Sequence, residues 1–222
     1  MSEHAFEPIR GLPGLLPPGE RLVWQGAPDW KVLARRTFFG DAVAIYFGLL
    51  MAWRLVQGLA EGAGLVSGVI WALWLVPVAA AALGVIALLA WGTARSTVYT
   101  ITTRRVVMRI GVALSMTLNV PFKRIVAADL KPLPEGCGDL ALRIGGKDRF
   151  AYLALWPHAR PWHFTNPQPM LRAVPDVRTV ARTLAEQLAT YQTTHGIAVD
   201  DTGRETRAKR PTAAGAATIP AE

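Results

Sequence analysis

Residues 65–92 read LVSGVIWALWLVPVAAAALGVIALLAWG, 28 positions without a charge. At a rise of about 1.5 Å per residue this is roughly 42 Å of helix, more than a ~30 Å hydrocarbon core requires. Pro77, near the middle, predicts a kink or tilt within one helix, because two halves of about fourteen residues would each be too short to span. Upstream, AVAIYFGLLMAWRLVQGL at 42–59 predicts a second, shorter span. A membrane hairpin over 42–92 follows, with AEGAG as its turn. Arg54 lies near the end of the first span. A guanidinium at mid-membrane costs about 2.5–3.5 kcal/mol even on lenient scales, so Arg54 either snorkels to the interface or meets a polar group on a partner helix. Trp53, Trp71, Trp74 and Trp91 suit interface depths.

Past the hairpin the period changes. STVYTI, VVMRI and TLNVPF are short, β-branched, alternating or apolar runs that predict strands. LALRI, GGKD and RFAYL predict a β-hairpin, with Gly145 and Gly146 free to take positive φ at its turn. In PDVRTVARTLAEQLATYQ, Val177, Val180, Ala181, Leu184, Leu188 and Tyr191 fall on one helical stripe, with Pro175 in the first turn and Gly196 as the stop. Beyond residue 197 the chain is Ala, Thr, Gly, Pro and charges, which predicts a disordered, solvated tail. The expected organisation is an N-terminal segment at 1–41, spans at 42–59 and 65–92, a small antiparallel β domain of six or seven strands closed by one helix at 95–196, and a tail at 197–222. The fold class is an α+β membrane protein.

Charge fixes the expected orientation. The formal charge is +8 and mean hydropathy is positive, +0.26. Residues 95–199 hold fourteen Lys/Arg against six Asp/Glu, while every other region is balanced. Lys31, Arg35 and Arg36 precede the first span, Arg95, Arg104, Arg105 and Arg109 follow the second, and the turn between carries none. The positive-inside rule then places both termini in the cytoplasm of a multi-pass membrane protein. The mixed first forty residues predict no cleaved signal peptide, and the single Cys137 excludes an internal disulfide. The pairs Gly58/Gly62 and Gly64/Gly68 suit the hairpin turn, and leave a homodimer through small-residue packing open.

The basic block after the spans offers Arg104, Arg105, Lys123 and Arg124 as a lipid-facing patch, each cation worth about 1 kcal/mol near an anionic surface. Nucleic acid is a poor partner for a domain tethered this close to a bilayer.

The least regular stretch is YLALWPHARPWHFTNPQPMLRAVPD at 152–176. Its prolines exclude helix interior and central strand alike. Trp156, His158, Arg160, Trp162, His163 and Phe164 are its candidate partner-binding residues, aromatics and Arg being the usual anchors and prolines lowering the cost of ordering. The same aromatics could instead seal the domain against the membrane. His158 and His163 lack a nearby carboxylate or thiolate, so no metal site is expected. No nucleophile and base share a local signature, so neither enzymatic activity nor a cofactor is expected. A magnesium-ligating histidine in a pigment-handling protein is the remaining chemical reading.

At YTITTRRVVMRIG (99–111) the chain resembles the bacterial membrane-anchored PH-domain family. Tyr99, Ile101, Thr102, Arg104 or Arg105, Gly111, Pro121 and Ile125 carry the match, and Thr103 departs from the Asn of that pattern. The resemblance implies a PH-like antiparallel β-barrel capped by a C-terminal helix. Two further segments, HAFEPIRGLPGLLPPGERLVWQGAPDW and the 152–176 loop, are similar to the subgroup of photosynthetic complex assembly proteins encoded beside the reaction-centre H subunit, in the puh operon of purple phototrophic bacteria. That likeness implies reaction-centre and light-harvesting subunits as partners, an intracytoplasmic membrane location, and no catalysis. The alternative is a generic membrane scaffold that binds anionic lipid or other proteins.

Overall fold

The computed structural model describes residues 11–12, 14–62, 64–111, 115–146, 152–163, 167–195, 197–199 and 205–207. Strand β1 (Leu22–Gly26) leads into a short helix, α1 (Trp30–Val32), that widens into a π turn over Leu33–Thr37. Asp29 caps α1, its carboxylate accepting from the N–H of Lys31 at 2.8 Å and Val32 at 3.3 Å.

The hairpin follows as α2 (Gly40–Ala60), α3 (Gly64–Leu73) and α4 (Leu75–Ser96). Pro77 cannot donate to the Leu73 carbonyl, and regular helix is interrupted one turn upstream, at Trp74. Both stretches, Gly40–Ala60 and Gly64–Ser96, are long and apolar enough to cross a membrane, and only 6% of each apolar window is buried within the protein. The paired glycines divide their work. Gly62 and Gly64 adopt positive φ (68° and 80°) at the turn, whereas Gly58 and Gly68 are buried where α2 crosses α3.

Helix α4 runs almost directly into β2 (Val98–Thr102), which is followed by β3 (Arg105–Ile110) and β4 (Met116–Pro121). These form an antiparallel sheet in the order β1-β2-β3-β4. The first strand therefore comes from ahead of the helical hairpin. Leu22 pairs with Thr102 and Gly26 with Tyr99, so the N-terminal region is part of the β domain rather than a separate segment. The hairpin is an insertion between the first two strands, attached to the sheet at both ends.

A 3-10 turn at Phe122–Arg124 carries the chain into a second sheet, β5 (Ile125–Pro132), β6 (Gly138–Ile144) and β7 (Met170–Val174), in that spatial order. Helix α6 (Val177–His195) closes the domain after a single helical turn, α5 (Tyr152–Leu155). Val177, Val180 and Leu184 are buried, and Ala181, Leu188 and Tyr191 pack beside them against Tyr99, Ile101, Phe122 and Leu140, as the stripe predicts.

Three expectations are corrected. Among the described residues the two sheets are not joined by any ladder, so the domain is an open pair of sheets and not a closed barrel. Among the described residues the expected hairpin of LALRI with RFAYL is not seen. Both edges of β6 are already taken by β5 and β7, and Tyr152–Leu155 is helical, while residues 147–151 lie outside the described set. The expected tail holds a small ladder, β8 (Ile197–Val199) on β9 (Glu205–Arg207), and residues 200–204 and 208–222 lie outside the described set.

Candidate functional site

The proline-rich loop between α5 and β7 is braced from beneath by His158. Its imidazole is wholly buried, with Nδ1 at 2.9 Å from the Tyr99 hydroxyl and Nε2 at 3.3 Å from Thr97 Oγ1. The Arg172 amide donates to the same Tyr99 oxygen at 3.1 Å. One tautomer satisfies the whole series: Arg172 N–H to Tyr99, Tyr99 O–H to Nδ1, and Nε2–H to Thr97. Burial first, and the Arg172 charge second, hold His158 down at about 3 from its ordinary 6.5. Burial pushes the Tyr99 hydroxyl well above its usual range. His158 is therefore neutral, internal and inaccessible to a partner. Its expected place among the contact residues is corrected, because the ring is wholly buried and both nitrogens are engaged by Tyr99 and Thr97.

Arg172 and Ala173 join this brace to the helical hairpin. Arg172 donates to the Ala159 carbonyl at 2.9 Å and reaches Thr37 Oγ1 at 3.5 Å. The Ala173 amide donates to Asp139 at 2.9 Å, and its carbonyl accepts from Asp29 N–H at 2.8 Å. Ala173 also packs with Val32, Leu33, Cys137 and Ala90 of α4. Loop, second sheet, α1 and α4 thus share one buried junction. Burial, with Asp29 and Glu135 nearby, raises the Cys137 thiol and keeps it protonated.

Above the brace the loop is pinned by Arg160, which donates to Asp129 at 2.6 Å and to Gln168 at 2.9 Å. The hydrogen bond from Arg160, helped by Arg143, holds the Asp129 carboxyl below the usual range. The tip carries Trp162, 86% exposed at φ +65°, in the left-handed region a bulky residue rarely adopts. His163 follows it, its Nδ1 2.9 Å from the Pro161 carbonyl. Phe164 lies outside the described residues. Trp156, at the other end, stands edge-on to Phe38 at 5.8 Å, next to the start of α2. With exposed Phe39, this aromatic group sits where the first span leaves the domain. The five described loop residues therefore separate into an internal brace (His158), a clamp (Arg160), an aromatic beside the start of α2 (Trp156) and an exposed tip (Trp162, His163).

Arg54 is exposed on α2, about 9 Å before its C-terminal end, close enough for its side chain to reach the interface. Of the four basic residues expected to face lipid, three are exposed on adjoining turns and Arg105 is set apart from them. Arg105 is engaged by Glu20, Nε to Oε1 at 2.7 Å and Nη2 to Oε2 at 2.8 Å, and the Glu20 side chain is 2% exposed. Arg104, Lys123 and Arg124 are exposed at the ends of the strands farthest from α4. Arg105→Ala is expected to cost about 2–3 kcal/mol by leaving a buried carboxylate without its cation. Thermal unfolding in detergent reads this, and Arg105→Lys should fall between, since it keeps the charge without the fork.

Among the described residues no group of three His, Cys, Asp or Glu could hold a metal ion. Sequence reasoning missed Thr97, Arg172 and Asp139 altogether and read Tyr99 only as a motif position. Each acts through partners tens of residues away, and no local spacing marks them.

Residues 37–188 match the family model described as Bacterial PH domain. A Rhodobacter capsulatus protein, described as an uncharacterized 23.7 kDa protein in the puhA 5' region, is 41% identical over 189 residues, covering 84% of this chain and 88% of that protein. A crystal structure of a protein with a pleckstrin-homology domain from Shewanella loihica aligns at 17% identity and TM-score 0.28, over 41% of this chain and 71% of that one.

Proposed function

The chain belongs to the bacterial PH-domain family, and from that premise we propose that it is a non-enzymatic assembly factor for the photosynthetic reaction-centre/light-harvesting core complex. Its relative in Rhodobacter capsulatus is described by its position in the puhA 5' region, which supports a photosynthetic setting. In this reading the hairpin spans the inner, intracytoplasmic membrane and both termini are cytoplasmic. The hairpin packs beside the single-span helices of nascent subunits. The β domain engages their cytoplasmic segments until the complex closes.

The observation that carries the reading is the loop tip. A tryptophan held exposed at positive φ, on a loop braced by buried His158 and clamped by Arg160, is strained and costs water-exposed apolar area. Aromatic anchors presented on a preorganised frame are what binding sites use, because little entropy is left to lose on docking. The two-ended attachment of the hairpin adds to this. With β1 entering α1 and α2, and α4 leading straight into β2, the domain is tied to the hairpin at both of its ends.

The test is a mild-detergent pull-down of the tagged protein from phototrophically induced membranes, with Trp162→Ala alongside. Wild type is expected to recover reaction-centre or antenna polypeptides, and Trp162→Ala to recover at most about a tenth as much, the loss of one hot-spot aromatic. Equal recovery by both would confine docking to the membrane hairpin. No recovery by either would sink the assembly reading and favour a lipid scaffold.

A further inference from the structure

We propose that the end of the β domain opposite α4 is a basic docking rim for an acidic polypeptide segment. The inference rests on the reading above only in taking the domain as a protein-binding module, and it assigns the surface and the chemistry of the ligand.

Four adjoining segments build the rim. The start of β1 meets the β2–β3 turn, with the Thr103 amide bonding the Arg21 carbonyl at 3.0 Å. That turn meets the 3-10 turn, with Phe122 N–H bonding the Arg104 carbonyl at 3.0 Å. The 3-10 turn meets the end of β6, with Gly145 N–H bonding the Arg124 carbonyl at 2.8 Å. Arg21, Arg104, Lys123 and Arg124 are all exposed on these segments.

The frame beneath them is rigid. Thr102 Oγ1 accepts from the amides of Arg104 and Arg105 and donates to the Arg105 carbonyl. The buried Glu20 carboxylate holds Arg105 through both oxygens, which removes that one cation from the surface and fixes the strand end. A cationic side chain on a turn fixed in this way loses less freedom on binding than one on a mobile loop.

Position decides the ligand. Strand β2 begins two residues after α4 ends, and Arg104 lies two residues past its far end. That distance is roughly 20 Å along the sheet at about 3.3 Å per residue. At physiological ionic strength the potential of an anionic bilayer decays over about 8 Å, so little of it reaches this rim. The cations nearest the spans are others, Arg35, Arg36 and Arg95. A lipid headgroup is thus the wrong ligand for the rim. A flexible Asp/Glu-rich stretch reaching down from a membrane-embedded partner fits its charge and its depth.

The full-length protein in nanodiscs of neutral phosphatidylcholine provides the test, with a fluorescein-labelled Glu/Asp-rich 15-residue peptide as probe, read by anisotropy. Wild type is expected to bind in low salt and to release the peptide at high salt. Arg21→Gln/Arg104→Glu/Lys123→Glu should weaken binding at least about tenfold, while Arg35→Gln/Arg36→Gln should leave it within about twofold. Thermal unfolding confirms that each variant is folded.

Absence of binding, or equal loss in both variants, would overturn the proposal. So would quenching of a fluorophore at Lys123→Cys, in a Cys137→Ala background, by nitroxide-headgroup lipid, which would place the rim at the bilayer. Tighter binding of a single-stranded RNA of equal charge would also overturn it. Because the probe is a model peptide, failure here leaves the pull-down with Trp162 untouched.

Discussion

His158→Ala is expected to lower the unfolding free energy of the β domain by about 3–5 kcal/mol. The ring is wholly enclosed, so removing it opens a cavity in a core that relaxes only in part. The polar loss adds to this. The Tyr99 hydroxyl and Thr97 Oγ1 each lose the imidazole, and a buried polar group left without a partner costs about 1–3 kcal/mol. A domain stable by 5–15 kcal/mol keeps only a fraction of that margin. Chymotryptic cleavage after Trp162 should rise along with the fall in melting temperature, because the loop loses the support that orders its tip. His158→Phe combined with Tyr99→Phe should cost less than the sum of the single changes, by about 1–2 kcal/mol, since the pair removes donor and acceptor together. Strict additivity would mean that the two groups do not interact.

The same residue sets an acid dependence whose sign follows from its position. The folded imidazole titrates at about 3 and the unfolded one near 6.5. Between those values the unfolded chain binds a proton that the folded chain refuses. Stability from this group is complete above pH 6.5 and declines as pH falls toward 3, at a slope approaching about 1.4 kcal/mol per pH unit. Asp129, held below its usual 3.8 by Arg160, adds a separate loss only at lower pH. Denaturant titrations between pH 7 and pH 4 distinguish the two, because His158→Phe should flatten this window.

Features with a short sequence period were legible and features built from distant pairs were not. The stripe from Val177 to Tyr191 repeats at the helical period, and α6 buries it as expected. The runs that became β2, β3 and β4 are local too. Strand β1 was hidden because its partner lies beyond the whole helical hairpin, and LVWQG gains meaning only when paired with VYTIT. His158 looked like a surface residue because prolines surround it, yet its burial depends on Tyr99, 59 positions earlier. Arg104 and Arg105 are chemically identical neighbours. One is in the exposed turn and the other starts β3 facing Glu20, 85 residues away, a difference of strand face that composition cannot encode.

Gly58→Leu is expected to separate the two spans, at a cost of about 3 kcal/mol or more. A Cβ at Gly58 would lie 2.6 Å from the Gly68 Cα and 3.1 Å from its amide nitrogen. Both obstacles are backbone, so no side chain can rotate away. From the other helix, a Cβ at Gly68 would meet the Leu55 carbonyl at 3.1 Å. Within a bilayer no hydrophobic force holds helices together, and close van der Waals packing across such small residues is what remains. Gly48 supplies the control, since it is also interior to α2 and has nothing within 4 Å of its Cβ position. Gly48→Ala should be neutral or stabilising by up to about 1 kcal/mol through helix propensity alone. Spin labels at Ala44 and Val85, exposed positions on α2 and α4, should give a longer and broader distance distribution in Gly58→Leu and an unchanged one in Gly48→Ala. An unchanged distribution in Gly58→Leu would disprove the close crossing. The consequence extends beyond the membrane, because the hairpin is joined to β1 through α1 at one end and to β2 at the other. Splaying the spans pulls on the two strands whose pairing holds Tyr99 in register. Gly58→Leu should therefore raise chymotryptic cleavage after Trp162 as well, although that tip touches neither helix crossing residue.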